Sequence, residues 1–205
     1  MGVAERRERE RARRKSQILG AARTLLFSKG LNGATIGQIA KLAEVSVATI
    51  YSYYKNRAEI IADLSEEGFG LIVFAIEEAI SSGGPPDEKL QRAAMAYLAF
   101  STDHKEYFSV LNHFLTTPKT VLEPALRKRT HRQAEKILQA VEAVVEEGVN
   151  AGIFRTDHPR RFALMFWGSL NGIIHLKKFK GTLLSKNDYT ALYRHTVSCM
   201  IRSLQ

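Results

Sequence analysis

Between Thr35 and Arg57 the chain reads TIGQIAKLAEVSVATIYSYYKNR, a run of hydroxyl, amide and cationic groups suited to binding rather than bond-breaking. Ser46 and Thr49 can exchange hydrogen bonds with base edges, and Val47 or Ala48 can touch a thymine methyl. Thr35, Tyr51, Tyr53 and Lys55 suit phosphate oxygens, contacts that fix register without carrying sequence information. Packing is the competing reading for Tyr51 and Tyr53, and the preferred one for Tyr54. No Arg or Gln stands on the second short helix to grip a purine in bidentate fashion. Discrimination there rests partly on DNA shape, or on Lys41 and the N-terminal arm. Groups that make or break covalent bonds are missing: no Gly-rich phosphate loop, nucleophile elbow, His-Glu-x-x-His pair or cysteine pair occurs. The six histidines are scattered and Cys199 is alone, so neither an enzyme nor a metal site is expected.

Two short helices and a tight turn must position those groups. Thr35 with Gln38 fits a capping box, and Ile36, Ile39, Ala40 and Ala43 recur at helical spacing. Glu44-Val45 forms the turn, Ser46 caps a second helix, and Asn56 with Glu59 opens a third. A turn residue at Glu44 often needs positive φ, a conformation costing a non-glycine residue on the order of 1 kcal/mol. Such a pair, polar outside and basic around, is a DNA-reading helix-turn-helix.

The run from Thr35 through Ile39-Ala40, Ala43-Glu44-Val45-Ser46, Thr49-Ile50-Tyr51 and Tyr53-Tyr54-Lys55-Asn56-Arg57 resembles the DNA-binding signature of the TetR family of bacterial transcriptional regulators. A preceding apolar helix from Ile18 agrees with that family's layout; Glu44, where the family usually has glycine, departs from it. The resemblance implies an all-α chain: a three-helix reader over 1–60, then a larger helical effector-binding and dimerisation domain over 61–205. It also implies a homodimer joined through the last two long helices, here carrying Phe162, Phe166, Leu170, Tyr193, Val197, Met200 and Ile201.

Charge supports a polyanion partner. Residues 1–60 hold 12 Lys and Arg against 5 Asp and Glu, whereas the remaining 145 hold 18 against 16. A basic first third on a nearly neutral body is the footprint of nucleic-acid binding. A membrane surface fits poorly, because residues 5–15 lack an apolar face. That stretch, ERRERERARRK, reads either as a solvated helix with i,i+4 Glu–Arg pairs or a frayed tail, or as an arm adding phosphate or minor-groove contacts. No signal peptide is visible and the longest apolar run, Ala163 to Ile174, is too short to span a bilayer, so a soluble cytoplasmic protein is expected.

Beyond the reader the periodicity gives about nine helices in all and no strand. Asn56 opens a long helix to about Ile80, followed by the linker Ser81-Ser82-Gly83-Gly84-Pro85-Pro86. Asp87 is expected to cap the next helix. Thr116-Thr117-Pro118 ends a shorter one, and a long helix starts from about Val121 or Pro124. Arg160 to about Phe179 is apolar nearly all round, which demands full burial or another chain. Tyr97, Phe100, Phe108, His113, Phe114, Trp167, Asn171 and His175 set polar groups among aromatics, as a small-effector pocket does. Each, taken alone, is more often core than ligand-facing.

Two functions remain. One is a ligand-responsive regulator, a repressor holding a palindromic operator as a homodimer and released by a small-molecule effector, with no cofactor. The alternative is an effector-independent, low-specificity architectural DNA-binding protein.

Overall fold

A computed structural model describes residues 2–31, 33–116, 123–179, 181–182 and 185–205. Among these, nine α-helices and no strand occur: α1 (Val3–Lys29), α2 (Ile36–Leu42), α3 (Val47–Tyr53), α4 (Arg57–Ser81), α5 (Pro86–Asp103), α6 (Lys105–Thr116), α7 (Pro124–Asn150), α8 (Pro159–His175) and α9 (Lys186–Arg202). The helix break at Thr117-Pro118 and a start at Val121 lie outside the described residues. No described helix is long and apolar enough to cross a membrane.

The helices gather into two compact units that follow no single cut in the chain. One takes residues 1–68 with 109–130, the other 69–108 with 131–205. Helices α4, α6 and α7 therefore each contribute residues to both.

In the first unit α2 packs on α1 and α3 on α2. Ile18, Ala22 and Leu26 of α1, Ile39 and Ala40 of α2, Ile50 of α3, and Ile60 and Leu64 of α4 form its core. Val110, Phe114 and Leu126 join that core from later in the chain. The periodic apolar positions of the reader thus all point inward, as a helical stripe must.

In the second unit α8 packs on α9, and α5 lies against both. Its core includes Leu90, Ala94, Val141, Val145, Phe166 and Tyr193. Buried Tyr193 donates to the Ala94 carbonyl at 2.7 Å, tying α9 to α5. Arg160 reaches Glu135 at 2.6 Å and Glu142 at 3.3 Å, joining α8 to α7. Gly152, at φ 71°, ends α7, and the N–H groups of Ile153 and Phe154 return to the Gly148 carbonyl. The buried Phe154 ring fills the space a Cβ at Gly148 would need.

Helix starts follow the sequence with one correction. The Ser185–Asp188 box closes both ways around α9. Asp87, expected as a cap, lies inside the first turn of α5: that helix opens at Pro86, with Pro85 preceding it and no side-chain cap. Proline's fixed φ and missing N–H suit a first helical position, so the terminus moves two residues earlier.

Candidate nucleic-acid interface and effector cleft

Local hydrogen bonds set the reader. Thr35 Oγ1 accepts from the Gln38 N–H at 3.2 Å and Gln38 Oε1 accepts from the Thr35 N–H at 3.1 Å. At the turn, the Glu44 N–H donates to the Lys41 carbonyl and the Val45 N–H to the Ala40 carbonyl. With Glu44 at φ 51°, this is a left-handed helix stop made by a residue other than glycine. Gln17 of α1 donates to the Ala43 carbonyl at 2.8 Å, so the first helix also braces the turn.

Ser46 then caps α3, accepting from the Thr49 N–H at 2.9 Å. Its hydroxyl also lies 2.8 Å from the Thr49 hydroxyl, which pre-orients that side chain. Ser46, Val47, Ala48 and Tyr51 are exposed around it, as are Thr35, Lys41 and Lys55. Tyr53 is half-buried, with the Arg11 guanidinium 5.6 Å over its ring. All nine residues expected to face DNA therefore present at least part of their surface in the first unit.

Tyr54 behaves differently. It is buried, and its hydroxyl donates to Asp63 at 2.9 Å. Asp63 is itself buried and also holds Lys15 at 2.8 Å and Arg129. Burial pushes the Asp63 carboxyl up, but the bonds from Lys15, Arg129 and Tyr54 outweigh it and hold the group below its usual range. Burial and the neighbouring carboxylate push the Tyr54 phenol up. Arg129 also pairs with Glu66, and Arg23 of α1 grips Glu67 of α4 in a fork. Sequence reading missed this ionic hub: Asp63 and Arg129 are 66 positions apart, and no local pattern pairs them.

The second unit contains a narrow apolar cleft with a cavity of about 10 Å³, lined by Ile76 of α4, Ala93, Ala94 and Tyr97 of α5, Ile137 and Val141 of α7, and Phe166, Trp167 and Leu170 of α8. Its walls nearly touch. The hydroxyl of Tyr97, one of the lining residues, donates to Asn171 Oδ1 at 3.1 Å. Burial pushes the Tyr97 phenol up, partly offset by a hydrogen bond from Trp167. Phe108 meets Tyr97 edge-on at 6.0 Å and lies 6.1 Å from the His175 ring.

Five of the eight residues expected at an effector site therefore come together: Tyr97, Phe108, Trp167, Asn171 and His175. Phe100 is buried against His104 instead. His113 and Phe114 belong to the first unit, 5.7 Å apart with Phe114 in its core. Burial, with the Arg57 charge nearby, lowers the His113 pKa. Phe166 and Leu170, assigned above to a dimer surface, are cleft walls.

The residues expected at a dimer contact lie mostly inside the chain. Phe162, Phe166, Leu170, Tyr193, Val197 and Ile201 are buried within the single chain, and Met200 is half-buried. The side of α8 left outward carries Leu164, Met165, Gly168 and Gly172, with Met165 59% exposed. In a helix apolar all round, periodicity alone does not say which face turns inward. No group of His, Cys, Asp and Glu able to hold a metal occurs among the described residues.

Residues 18–64 match the family description "Bacterial regulatory proteins, tetR family", and residues 83–175 match "Tetracyclin repressor-like, C-terminal domain". The chain belongs to the TetR family of bacterial transcriptional regulators. It is a DNA-binding transcription regulator, and the relatives it matches are regulators rather than enzymes. The fatty acid metabolism regulator protein of Bacillus subtilis is 26% identical over 157 residues, 76% of this chain and 78% of the relative. FadR of Bacillus subtilis, solved in complex with stearoyl-CoA, shares the fold with a TM-score of 0.70 at 21% identity, covering 93% of this chain and 99% of that one. AibR, solved with isovaleryl coenzyme A and operator DNA, gives a TM-score of 0.65 at 17% identity, over 91% and 97% of the two chains.

Proposed function

We propose that this TetR-family regulator is a cytoplasmic repressor that binds a palindromic operator as a homodimer and is released by an acyl-coenzyme A thioester. The observation that carries the ligand class is the second unit's cleft: hydrocarbon walls from four helices, with one lining residue, Tyr97, hydrogen-bonded to Asn171. An acyl chain matches the walls, and its thioester carbonyl matches the donor that Tyr97 now directs at Asn171. The relatives solved with stearoyl-CoA and isovaleryl coenzyme A support the same class. Because the walls nearly touch, an acyl chain must part α5, α7 and α8 to enter. A ligand that favours the parted state shifts the equilibrium by its difference in affinity between the two states. Since α4 contributes to both units, it is the element proposed to carry the change toward the reader.

Two readers about one helical turn of DNA apart require a symmetric dimer. We assign its contact to the outward faces of α8 and α9, centred on Leu164 and Met165, where Gly168 and Gly172 allow close approach.

The test is selection of random duplexes by the purified protein, followed by titration of the complex with acyl-CoAs of increasing length and with the matching free acids. The reading expects a palindromic consensus released by thioesters of one length range. Enrichment without any motif would instead support an effector-independent architectural protein. A motif that no thioester releases would overturn the ligand class.

A further inference from the structure

Helix α1 runs unbroken from Val3 to Lys29, so residues 3–15 are neither a frayed tail nor part of the reader's core. They carry Arg6, Arg7, Arg9, Arg11, Arg13, Arg14 and Lys15 against Glu5, Glu8 and Glu10. The intrahelical Glu–Arg pairs that would make this a self-neutralised solvated helix do not form: among the described residues, no ion pair joins any of these three glutamates to an arginine. The charge is left facing outward.

It is also arranged. At 100° per residue, Arg7, Arg11, Arg14 and Lys15 share the face that further along buries Ile18 and Ala22. Contacts confirm which way that face points. Lys15 bonds Asp63, Arg14 is held by Gln17 at 3.1 Å, Gln17 itself bonds the reader's turn, and Arg11 lies over Tyr53. Arg6, Arg9 and Arg13 lie on the opposite side. A rise of 1.5 Å per residue spreads Arg7 to Arg14 over about 10 Å, beginning beside the residues that contact phosphate.

We propose that Arg7, Arg11 and Arg14 form a second DNA-binding site, a helical arm that grips the phosphate backbone flanking the half-site read by α3. The proposal rests on the operator reading above and extends it: the protein's footprint exceeds what its short reader spans. With few base contacts available from α3, flanking phosphates supply affinity, and the deformability of the flanks adds to selectivity. An anionic membrane is the less favoured partner, since the arm has no apolar face to insert.

The experiment compares two charge-matched variants of the full chain, R7Q/R11Q/R14Q and R6Q/R9Q/R13Q, with circular dichroism melts confirming the fold. Each binds the selected operator in two forms, one trimmed to the consensus and one with about ten flanking base pairs per side. The inner-row variant is expected to lose on the order of tenfold or more on the flanked duplex, with the slope of log K against log salt falling by about 2–3 per protomer. On the trimmed duplex it should match the wild type. The outer-row variant should lose less than about threefold on either. Equal losses from both rows would reduce the arm to bulk charge and overturn the proposal, as would equal wild-type affinity for the two duplexes. Loss of phosphatidylserine vesicle binding in the inner-row variant, with DNA binding intact, would overturn it in favour of a membrane. If no motif is selected, the operator reading fails, while the same comparison on a random 40-base-pair duplex still decides the arm.

Discussion

The two units hold themselves together by different means. The first closes on a buried carboxylate: Asp63 gathers Lys15 from α1, the Tyr54 hydroxyl from the end of α3, and Arg129 from α7. The second closes on hydrocarbon, a nearly shut cleft with one lining tyrosine hydrogen-bonded to an amide. Directional charged bonds from Asp63 of α4 fix one arrangement of four helices, which a protein reading base edges requires. Apolar walls slide and part at lower cost, which suits a site that must open for a ligand. The proposed function asks for this difference: a reader held in one arrangement and a body whose walls part for a ligand.

Removing the carboxylate should break this contrast most severely. Asp63→Asn takes the counter-charge from Lys15 and leaves Arg129 with Glu66 alone, and is expected to destabilise the protein by about 2–3 kcal/mol, measured by urea unfolding at pH 7. The figure stays below that for a fully buried pair because Lys15 and Arg129 are 46% and 32% exposed. The carboxyl's folded pKa lies below its unfolded value, so its contribution is fully present above about pH 4 and is lost as pH falls through the folded value. The gap between wild type and variant should close on that acid side and stay constant between pH 5 and 7.

Within the reader, Thr49→Ala should cost roughly 1 kcal/mol of operator affinity while leaving nonspecific binding intact. Lys55→Ala should weaken all duplexes alike and flatten the salt dependence. A change in sequence preference from Lys55→Ala would contradict its placement on phosphate. The second unit should respond more mildly: Tyr97→Phe leaves Asn171 Oδ1 without its donor, at about 1 kcal/mol in thermal unfolding. That variant should bind operator normally yet need more effector for release, sharpening the division of labour. The smallest effect is expected at the turn. Glu44→Gly relieves a left-handed non-glycine residue but frees the unfolded chain, for a net gain of about 0.5 kcal/mol.

What the sequence discloses and what it hides divide along the same line. Thr35 with Gln38, Ser46 with Thr49, and the strained Glu44 all act within a few residues, so spacing reveals them. The Asp63 hub unites helices distant in the chain, and nothing in either neighbourhood announces a partner. Helix α8 shows a subtler limit. Its composition says that every side is buried or paired, but Phe166 and Leu170 became cleft walls while Leu164 and Met165 stayed outside. That choice is made by α5, α7 and α9 together. His113 and Phe114 were separated from the other aromatics because α6 is divided between the units, a boundary that helical periodicity does not mark.

The central claim is that the cleft and the reader are energetically coupled, and coupling is reciprocal. The most direct measurement is a double titration: operator affinity at zero and saturating acyl-CoA, and acyl-CoA affinity with and without saturating operator. Each ligand is expected to weaken the other by the same factor, at least about tenfold. An acyl-CoA that binds the cleft and leaves operator affinity unchanged would contradict the claim.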